Sequence, residues 1–279
     1  MPAEPAVVVF PGVFGAMLGS FLNVCVYRLP RNESVVAPRS RCPGCGAWIA
    51  WYDNVPVLSW LLLRARCRHC GAPISVQYPL VELAAGLVWA GAVAWFGLSV
   101  AALRTGVLGT LALGIAITDA RHYIIPDEFS LGGLLAGLAL SLAPAPEGQG
   151  PLAALVGAGL GYGLLWVVKA AGDWALARGL IGGRELEQVL EEGETPTTLG
   201  MGDLKMMAMV GSFVGWRGVL LTAFLGSLAG VAVFVPMLLF RRRRPVPFGV
   251  FLAIGAAVAL VAGDGLTAWY ASLITASVP

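Results

Sequence analysis

The chain alternates long apolar segments with shorter polar connections from one end to the other. A helix that crosses the hydrocarbon core of a bilayer needs about 20 apolar residues, with a range of about 17–25. Most of the apolar segments reach that length, although the fourth and the sixth fall short of it. The pattern predicts an all-α polytopic membrane protein with about eight transmembrane helices, at residues 7–27, 78–97, 99–118, 129–143, 152–168, 204–216, 219–240 and 246–263.

Composition supports a membrane protein. Of the 279 residues, 58% are hydrophobic and only 12% are charged, and the mean hydropathy is +0.80. A soluble domain carries about 25% charged residues. The 37 glycines suit helices that must approach each other closely inside a bilayer. No basic stretch precedes the segment 7–27, so we expect it to be the first transmembrane helix and not a cleaved signal.

The positive charges predict how these helices are oriented. If the amino terminus is external and eight helices alternate in direction, 16 of the 18 Lys and Arg residues fall on one side, and only Arg104 and Arg217 fall on the other. Cytoplasmic connections carry the excess of Lys and Arg in membrane proteins. Both termini are therefore predicted to be external. Residues 30–77, 173–199 and 241–244 are predicted to be cytoplasmic. The apolar tail 264–279 either extends the last helix or lies at the interface.

Three regions follow from this arrangement: a first transmembrane helix (1–29), a cytoplasmic loop (30–77), and a membrane core (78–279) with a polar insert at 173–199. The loop carries two C-x2-C pairs separated by 21 residues, a spacing close to that of tetrahedral zinc sites. A glycine after each pair permits the tight turn that aims backbone amides at the sulfurs. The pairs predict a structural zinc ion, with a redox dithiol pair or unpaired thiols as the alternatives. The predicted ligands are Cys42, Cys45, Cys67 and Cys70.

Two further residues near these cysteines are not predicted to bind the metal. His69 stands between two ligands of a site that four thiolates already close, so we expect it at the surface. Cys25 lies in the first apolar segment, where a cysteine packs as a small apolar residue.

Two aspartates stand at the edges of apolar segments and are the candidates for catalysis. Asp119 closes the segment 99–118, and Asp203 precedes the segment 204–216 within Gly200-Met201-Gly202-Asp203. A carboxylate at membrane depth costs several kcal/mol unless it is compensated, so it marks a functional site by default. The charge pattern puts both on the cytoplasmic side. Two such acids that share a proton are suited to amide hydrolysis.

Simpler roles exist for the same acids. Asp119 can be a polar residue at a helix end, and Asp203 can be a helix N-cap. Asp127 follows Pro126 and precedes Glu128, which is typical of a helix start where acids complement the helix dipole. We therefore do not expect Asp127 to be catalytic.

At this point the sequence resembles the type IV prepilin peptidases, a family of membrane aspartic peptidases that are also called prepilin leader peptidase/N-methyltransferases. The matching motifs occur in family order from residue 19 to about 256. They are Gly19–Val24 with Tyr27–Pro30, Trp51–Trp60, Tyr78–Leu83, Asp119–Asp127, Gly200–Lys205 and Pro247–Gly249. Two departures stand out: Val250 follows Pro247-Phe248-Gly249 where the family often has proline, and the polar stretch 173–199 is long.

The resemblance implies an eight-span enzyme of the bacterial inner membrane whose catalytic acids are Asp119 and Asp203. It would cut the basic leader of type IV prepilins or type II secretion pseudopilins after a glycine, at the cytoplasmic face. It also implies methylation of the new amino terminus with S-adenosylmethionine, although no Gly-rich dinucleotide turn identifies cofactor-binding residues. Glu82 is a candidate for contact with the cofactor or the substrate amine, or it is an acid that reaches the interface. The bilayer is a partner, and no nucleic acid is expected.

Other functions remain open on the sequence alone. Intramembrane carboxylates also serve proton-coupled transporters, but no repeat relates the two halves of the chain, as many transporter folds would require. A binding or assembly role built on a zinc knuckle is a further alternative. The acidic stretch 184–194 is either a solvated helix face or a surface that attracts a basic leader.

Overall fold

The computed structural model describes residues 5–144, 150–181, 197–239 and 247–276. Within these residues the chain is helical and forms no extended strand. It divides into two compact units, Met1–Pro126 with Ala143–Ala145, and Asp127–Leu142 with Pro146–Pro279. The acidic stretch 184–194 and the basic run 241–244 lie outside the described residues.

The first unit contains three long helices and the loop with the cysteines. Its helices are α1 (Pro5–Arg28), α2 (Leu58–Leu62), α3 (Gln77–Phe96) and α4 (Val100–His122). Helix α1 packs along α3 through small residues. A Cβ atom on Gly15 would lie 2.6 Å from the Ala85 carbonyl oxygen, and one on Gly19 would lie 2.7 Å from the Glu82 Cα. Close backbone approach of this kind is how helices associate where no water drives them together.

The second unit contains α5 (Asp127–Leu140), α6 (Pro151–Ala177), α7 (Met201–Leu239) and α8 (Phe248–Ala276). Helix α7 is interrupted at Gly215, whose φ of 65° and ψ of −176° are not helical. The interruption divides α7 into two arms near the boundary between the predicted segments 204–216 and 219–240. The first arm is the most deeply buried part of this unit, with Leu204, Met206, Met207, Met209 and Val210 fully enclosed.

Within the described residues, all eight predicted apolar segments are helical over most of their length, so the prediction of an all-α protein is confirmed. Among the described residues, five helices are long and apolar enough to cross a membrane, or six if the two arms of α8 form one bent span. The bend in α8 is 74°, between Phe248–Gly263 and Gly265–Leu273. The described part of the apolar tail therefore continues as helix but turns sharply. Helix α6 also continues to Ala177, so the predicted polar insert 173–199 begins inside a helix.

Candidate active site and metal centre

Asp119 lies in the last turn of α4 and belongs to the first unit. Its side chain is buried, with 6% of its surface exposed. The helix ends because Tyr123 adopts the left-handed conformation, with a φ of 54°, and its amide donates to the Asp119 carbonyl oxygen over 2.9 Å. The carboxyl end of a helix carries the negative pole of the helix dipole, which does not favour an additional negative charge.

Asp203 lies in the first turn of α7 and belongs to the second unit. Its side chain is half-buried, and the residues that follow it are fully enclosed. A Cβ atom on Gly200 would lie 3.2 Å from Asp203 Oδ2, so the carboxylate reaches back beside a residue that has no side chain. The amino end of a helix stabilises negative charge. The two candidate acids thus stand at opposite poles of their respective helices.

Asp127 begins α5, as the sequence predicts, and Glu128 follows it in the first turn. The structure adds a contact that the sequence did not reveal. Lys205, two residues after Asp203, donates to Asp127 Oδ1 and Oδ2 over 2.7 and 2.8 Å. The Asp127 side chain is 55% exposed, so this ion pair contributes little to global stability.

A second polar contact precedes Asp203 and was also missed by the sequence analysis. On α6, Asp173 Oδ1 accepts hydrogen bonds from the Thr198 amide over 2.8 Å and from the Thr198 hydroxyl over 2.9 Å. The other oxygen of Asp173 accepts from Lys169 Nζ over 2.8 Å. Gly172 allows this contact, because a Cβ atom there would lie 2.5 Å from Thr198 Oγ1.

The four predicted zinc ligands come together in the loop 30–77. Their sulfur atoms all lie within 4.8 Å of one another, and those of Cys42 and Cys70 are 3.8 Å apart. A tetrahedral ion with Zn–S bonds of about 2.3 Å separates its sulfurs by about 3.8 Å. The four thiols are therefore arranged to hold a metal ion. His69 is exposed and lies outside the cluster, and Cys25 is buried in α1.

The two C-x2-C pairs form matching turns. The amides of Cys42 and Cys67 donate to the carbonyl oxygens of Ala47 and Ala72, and the glycine after each pair donates back to the first cysteine. Both glycines, Gly46 and Gly71, have a φ of 71°. This is the left-handed region that glycine adopts without strain, so the predicted reason for these glycines is confirmed.

The thiols differ in how readily they ionise. Hydrogen bonds from the Cys70 and His69 amides lower the pKa of Cys67 to about 6. At Cys70 the largest effect is the hydrogen bond from the Ala72 amide, which favours the thiolate. This effect is outweighed by desolvation and by the neighbouring thiols of Cys45, Cys67 and Cys42. Together they raise the pKa of Cys70 to about 11. Thiols this close together do not all ionise, because the thiolates would repel one another. A divalent cation would neutralise this repulsion by coordinating all four as thiolates.

A charged pair fixes the outer side of the same loop. Arg68 Nε donates to Asp53 Oδ2 over 2.8 Å, and its NH2 group donates to Asp53 Oδ1 over 2.5 Å. These bonds hold the pKa of the Asp53 carboxyl below its usual range. The pair joins the second cysteine turn to the 3₁₀ turn Trp51–Asp53.

Glu82 is buried in α3 and has a structural partner. Its Oε2 accepts a hydrogen bond from the Val57 amide over 2.7 Å. Val57 is the centre of a tight turn with a φ of 60°, in which the Leu58 amide donates to the Pro56 carbonyl oxygen. A β-branched residue with positive φ is strained. Glu82 thus holds the loop to the membrane helix, a role that neither of its predicted alternatives described.

Removing this carboxylate is expected to loosen the loop. Glu82→Ala leaves the Val57 amide without an acceptor, which costs about 1–3 kcal/mol. Glu82→Gln keeps an acceptor oxygen and is expected to cost less. Limited proteolysis of the loop 30–77 should be faster in Glu82→Ala than in the wild type, and near normal for Glu33→Ala, which changes an exposed acid. Equal proteolysis of Glu82→Ala and the wild type would contradict this role.

Comparison with known proteins identifies relatives along most of the chain. Residues 13–96 match the bacterial Peptidase A24 N-terminal domain, and residues 106–235 match the type IV leader peptidase family. A prepilin leader peptidase/N-methyltransferase of Myxococcus xanthus is 41% identical over 84% of this chain and 64% of its own length, so this chain spans less than two thirds of it. Proteins of the same name from Burkholderia pseudomallei strain 1026b and Pseudomonas aeruginosa are 36% and 35% identical, over 85% and 91% of their lengths. No solved structure matches the chain.

Proposed function

The chain belongs to the type IV leader peptidase family, and we propose that it is a membrane aspartic endopeptidase that removes the leader of type IV prepilins. Like its relatives, it is an enzyme with prepilin leader peptidase and N-methyltransferase activity. The observation that carries the proposal is the position of Asp203, in the first turn of α7 beside Gly200, within the matched segment 106–235. The family assignment gives no support to the transporter alternative.

Asp119 and Asp203 are the proposed catalytic pair. One ionised carboxylate takes a proton from water as the water attacks the scissile carbonyl carbon, while the other, protonated, donates a hydrogen bond to the carbonyl oxygen. The departing amine then receives a proton from the pair. We assign the ionised role to Asp203, because its helix end stabilises negative charge, and the protonated role to Asp119, because its helix end does not.

The substrates of this reaction are type IV prepilins and, by the same chemistry, type II secretion pseudopilins. Cleavage after the glycine of a basic leader at the cytoplasmic face would release a new amino terminus next to an apolar helix. A mass measurement on the product tests this directly: purified protein in lipid, given a prepilin and labelled S-adenosylmethionine, should yield a shortened pilin. An intact precursor after long incubation would refute the peptidase assignment.

Methylation requires a methyl donor, and S-adenosylmethionine would supply the methyl group to the released amine. The described residues form no strand, so a sheet-based nucleotide fold is not part of them. No contact among the described residues identifies a binding site for this cofactor. We propose that the loop 30–77, held by a zinc ion on Cys42, Cys45, Cys67 and Cys70, contributes more to methylation than to cleavage. Its part in cleavage is smaller because the proposed catalytic acids lie elsewhere in the chain.

We propose that the eight helical segments cross the bacterial cytoplasmic membrane in alternating directions, with both termini external. The segments are α1, α3, α4, α5, α6, the two arms of α7, and α8. Support comes from the asymmetry of the Lys and Arg residues. Asp119 and Asp203 then both face the cytoplasm, where prepilin leaders are located before cleavage.

This topology predicts opposite labelling of two positions. In a variant whose cysteines have been replaced, a single cysteine at Leu98, in the short connection between α3 and α4, should react with a membrane-impermeant maleimide on intact spheroplasts. A single cysteine at Arg178, just after α6, should react only after the membrane is opened. Labelling of position 178 from outside would overturn the topology, because it would move the residues before Asp203 to the external side.

A further inference from the structure

The segment 198–205 carries Asp203, and few of its own side chains restrain its backbone before the acid. Gly200 and Gly202 remove side-chain constraints immediately before the acid, and both Thr198 and Gly200 are exposed. A catalytic group must nevertheless be held within about 0.5 Å of its productive position. The residues after Asp203 are fixed by the buried first arm of α7, so a contact from elsewhere must fix the residues before it.

Two contacts bracket Asp203 inside the second unit. Before it, Asp173 on α6 binds both the amide and the hydroxyl of Thr198, so it fixes the backbone as well as the side chain. After it, Asp127 at the start of α5 accepts two hydrogen bonds from Lys205. The Asp173 contact is also built into α6 itself, because Lys169 orients the carboxylate and Gly172 makes room for Thr198.

We infer that Asp173 and Asp127 are positioning residues for Asp203, one on each side of it. They anchor the segment 198–205 to α6 and to α5, and they touch neither water nor substrate in the reaction. Asp173 is the principal anchor, because it is less exposed than Asp127 and holds a backbone amide directly. This inference rests on the proposed function, since it assumes that Asp203 is catalytic.

The chain offers matched variants for each contact. Thr198→Val removes the hydroxyl at constant shape and Thr198→Ser keeps it, while Thr197→Val makes the same change one residue earlier. Asp173→Ala removes the oxygen that accepts both hydrogen bonds from Thr198. Asp127→Asn keeps the size of the second anchor and removes the charge that pairs with Lys205. Asp53→Asn, which breaks an Asp–Arg pair in the cysteine loop, is the control for the loss of an ion pair elsewhere.

A displacement of about 1 Å at a catalytic group can cost about 10²-fold in rate. We expect Asp173→Ala and Asp127→Asn each to lower kcat for prepilin cleavage about 10-fold with KM unchanged. Thr198→Val should lower it less, because the amide of residue 198 still donates to Asp173. The Asp173→Ala, Asp127→Asn double variant should lose about 10²-fold. Thr198→Ser, Thr197→Val and Asp53→Asn should retain the kcat of the wild type. Methylation of a pilin that has already been cleaved, and the thermal unfolding of the protein, should be unchanged in the variants at positions 127, 173, 197 and 198.

Two results would overturn the inference. One is a kcat equal to that of the wild type in Asp173→Ala and Asp127→Asn. The other is a parallel loss of cleavage, methylation and thermal stability, which would indicate a general structural role. Asp203→Asn is measured in the same series. If Asp203→Asn still cleaves prepilin, the proposed function itself fails. If it is inactive while the anchor variants are normal, only the positioning role fails.

Discussion

Asp119→Asn and Asp203→Asn should each abolish prepilin cleavage, lowering kcat by at least about 10³-fold, in a protein that still inserts and folds. Asparagine keeps the size of the side chain and removes its charge, so it separates chemistry from packing. The two acids share one proton transfer, and residues that act as a unit lose nearly as much singly as together. The double variant should therefore be little worse than either single variant.

The two single variants should differ in their remaining activity. If Asp119 supplies a hydrogen bond to the carbonyl oxygen, the amide N–H of asparagine can still donate one. Asp119→Asn should therefore have a higher residual activity than Asp203→Asn. Asparagine at position 203 cannot accept the proton of the attacking water. The measurement is product formation over long incubation at high enzyme concentration. Equal or reversed residual activities would contradict our assignment of the two roles.

Asp127→Asn is the matched control for this pair, since Asp127 lies eight residues after Asp119 at a helix start. It should slow cleavage without abolishing it. If Asp127→Asn were inactive and Asp119→Asn nearly normal, the catalytic pair would have to be reassigned to Asp127 and Asp203.

The second large effect concerns the cysteine cluster. The purified protein should contain one equivalent of zinc, and replacement of any one of the four cysteines by serine should remove it, because three ligands no longer close a structural site. Structural zinc sites contribute about 10–16 kcal/mol of apparent binding free energy in small domains at pH 7. The loop 30–77 has little apolar core, so we expect it to lose its order without the ion.

Metal content by mass spectrometry and the two activities of each variant provide the test. Cys42→Ser and Cys67→Ser should lose zinc and most methylation while retaining more of the cleavage. Cys25→Ser is the control, because Cys25 is buried in α1 away from the cluster and its replacement should leave the metal content unchanged. Full zinc content in the Cys42→Ser, Cys67→Ser double variant would contradict the assignment of the ligands.

The features that the sequence predicts well are those with local patterns. Apolar length identifies the helices because the bilayer imposes one dimension on every span. The cysteine spacing and the following glycines predict the paired turns because the geometry of a metal site is set within four residues. Gly46 and Gly71 adopt the conformation that this geometry requires.

The features that the sequence does not reveal join residues far apart in the chain. Asp173 and Thr198 are 25 residues apart, and Lys205 and Asp127 are 78 apart. The members of neither pair lie on the same helix, so no periodic pattern along the sequence indicates these contacts. The continuation of α6 to Ala177 had a local signal, the Lys169–Asp173 pair at i and i+4, which stabilises a helix.

The contact between Asp173 and Thr198 also closes a ring in the chain. The chain between them leaves α6 after Asp173 and returns to the same place on α6 at Thr198. The position of Thr198 is therefore set by α6 and not by the length of the chain between the two residues. An epitope inserted between the two residues is expected to leave the position of Asp203 unchanged.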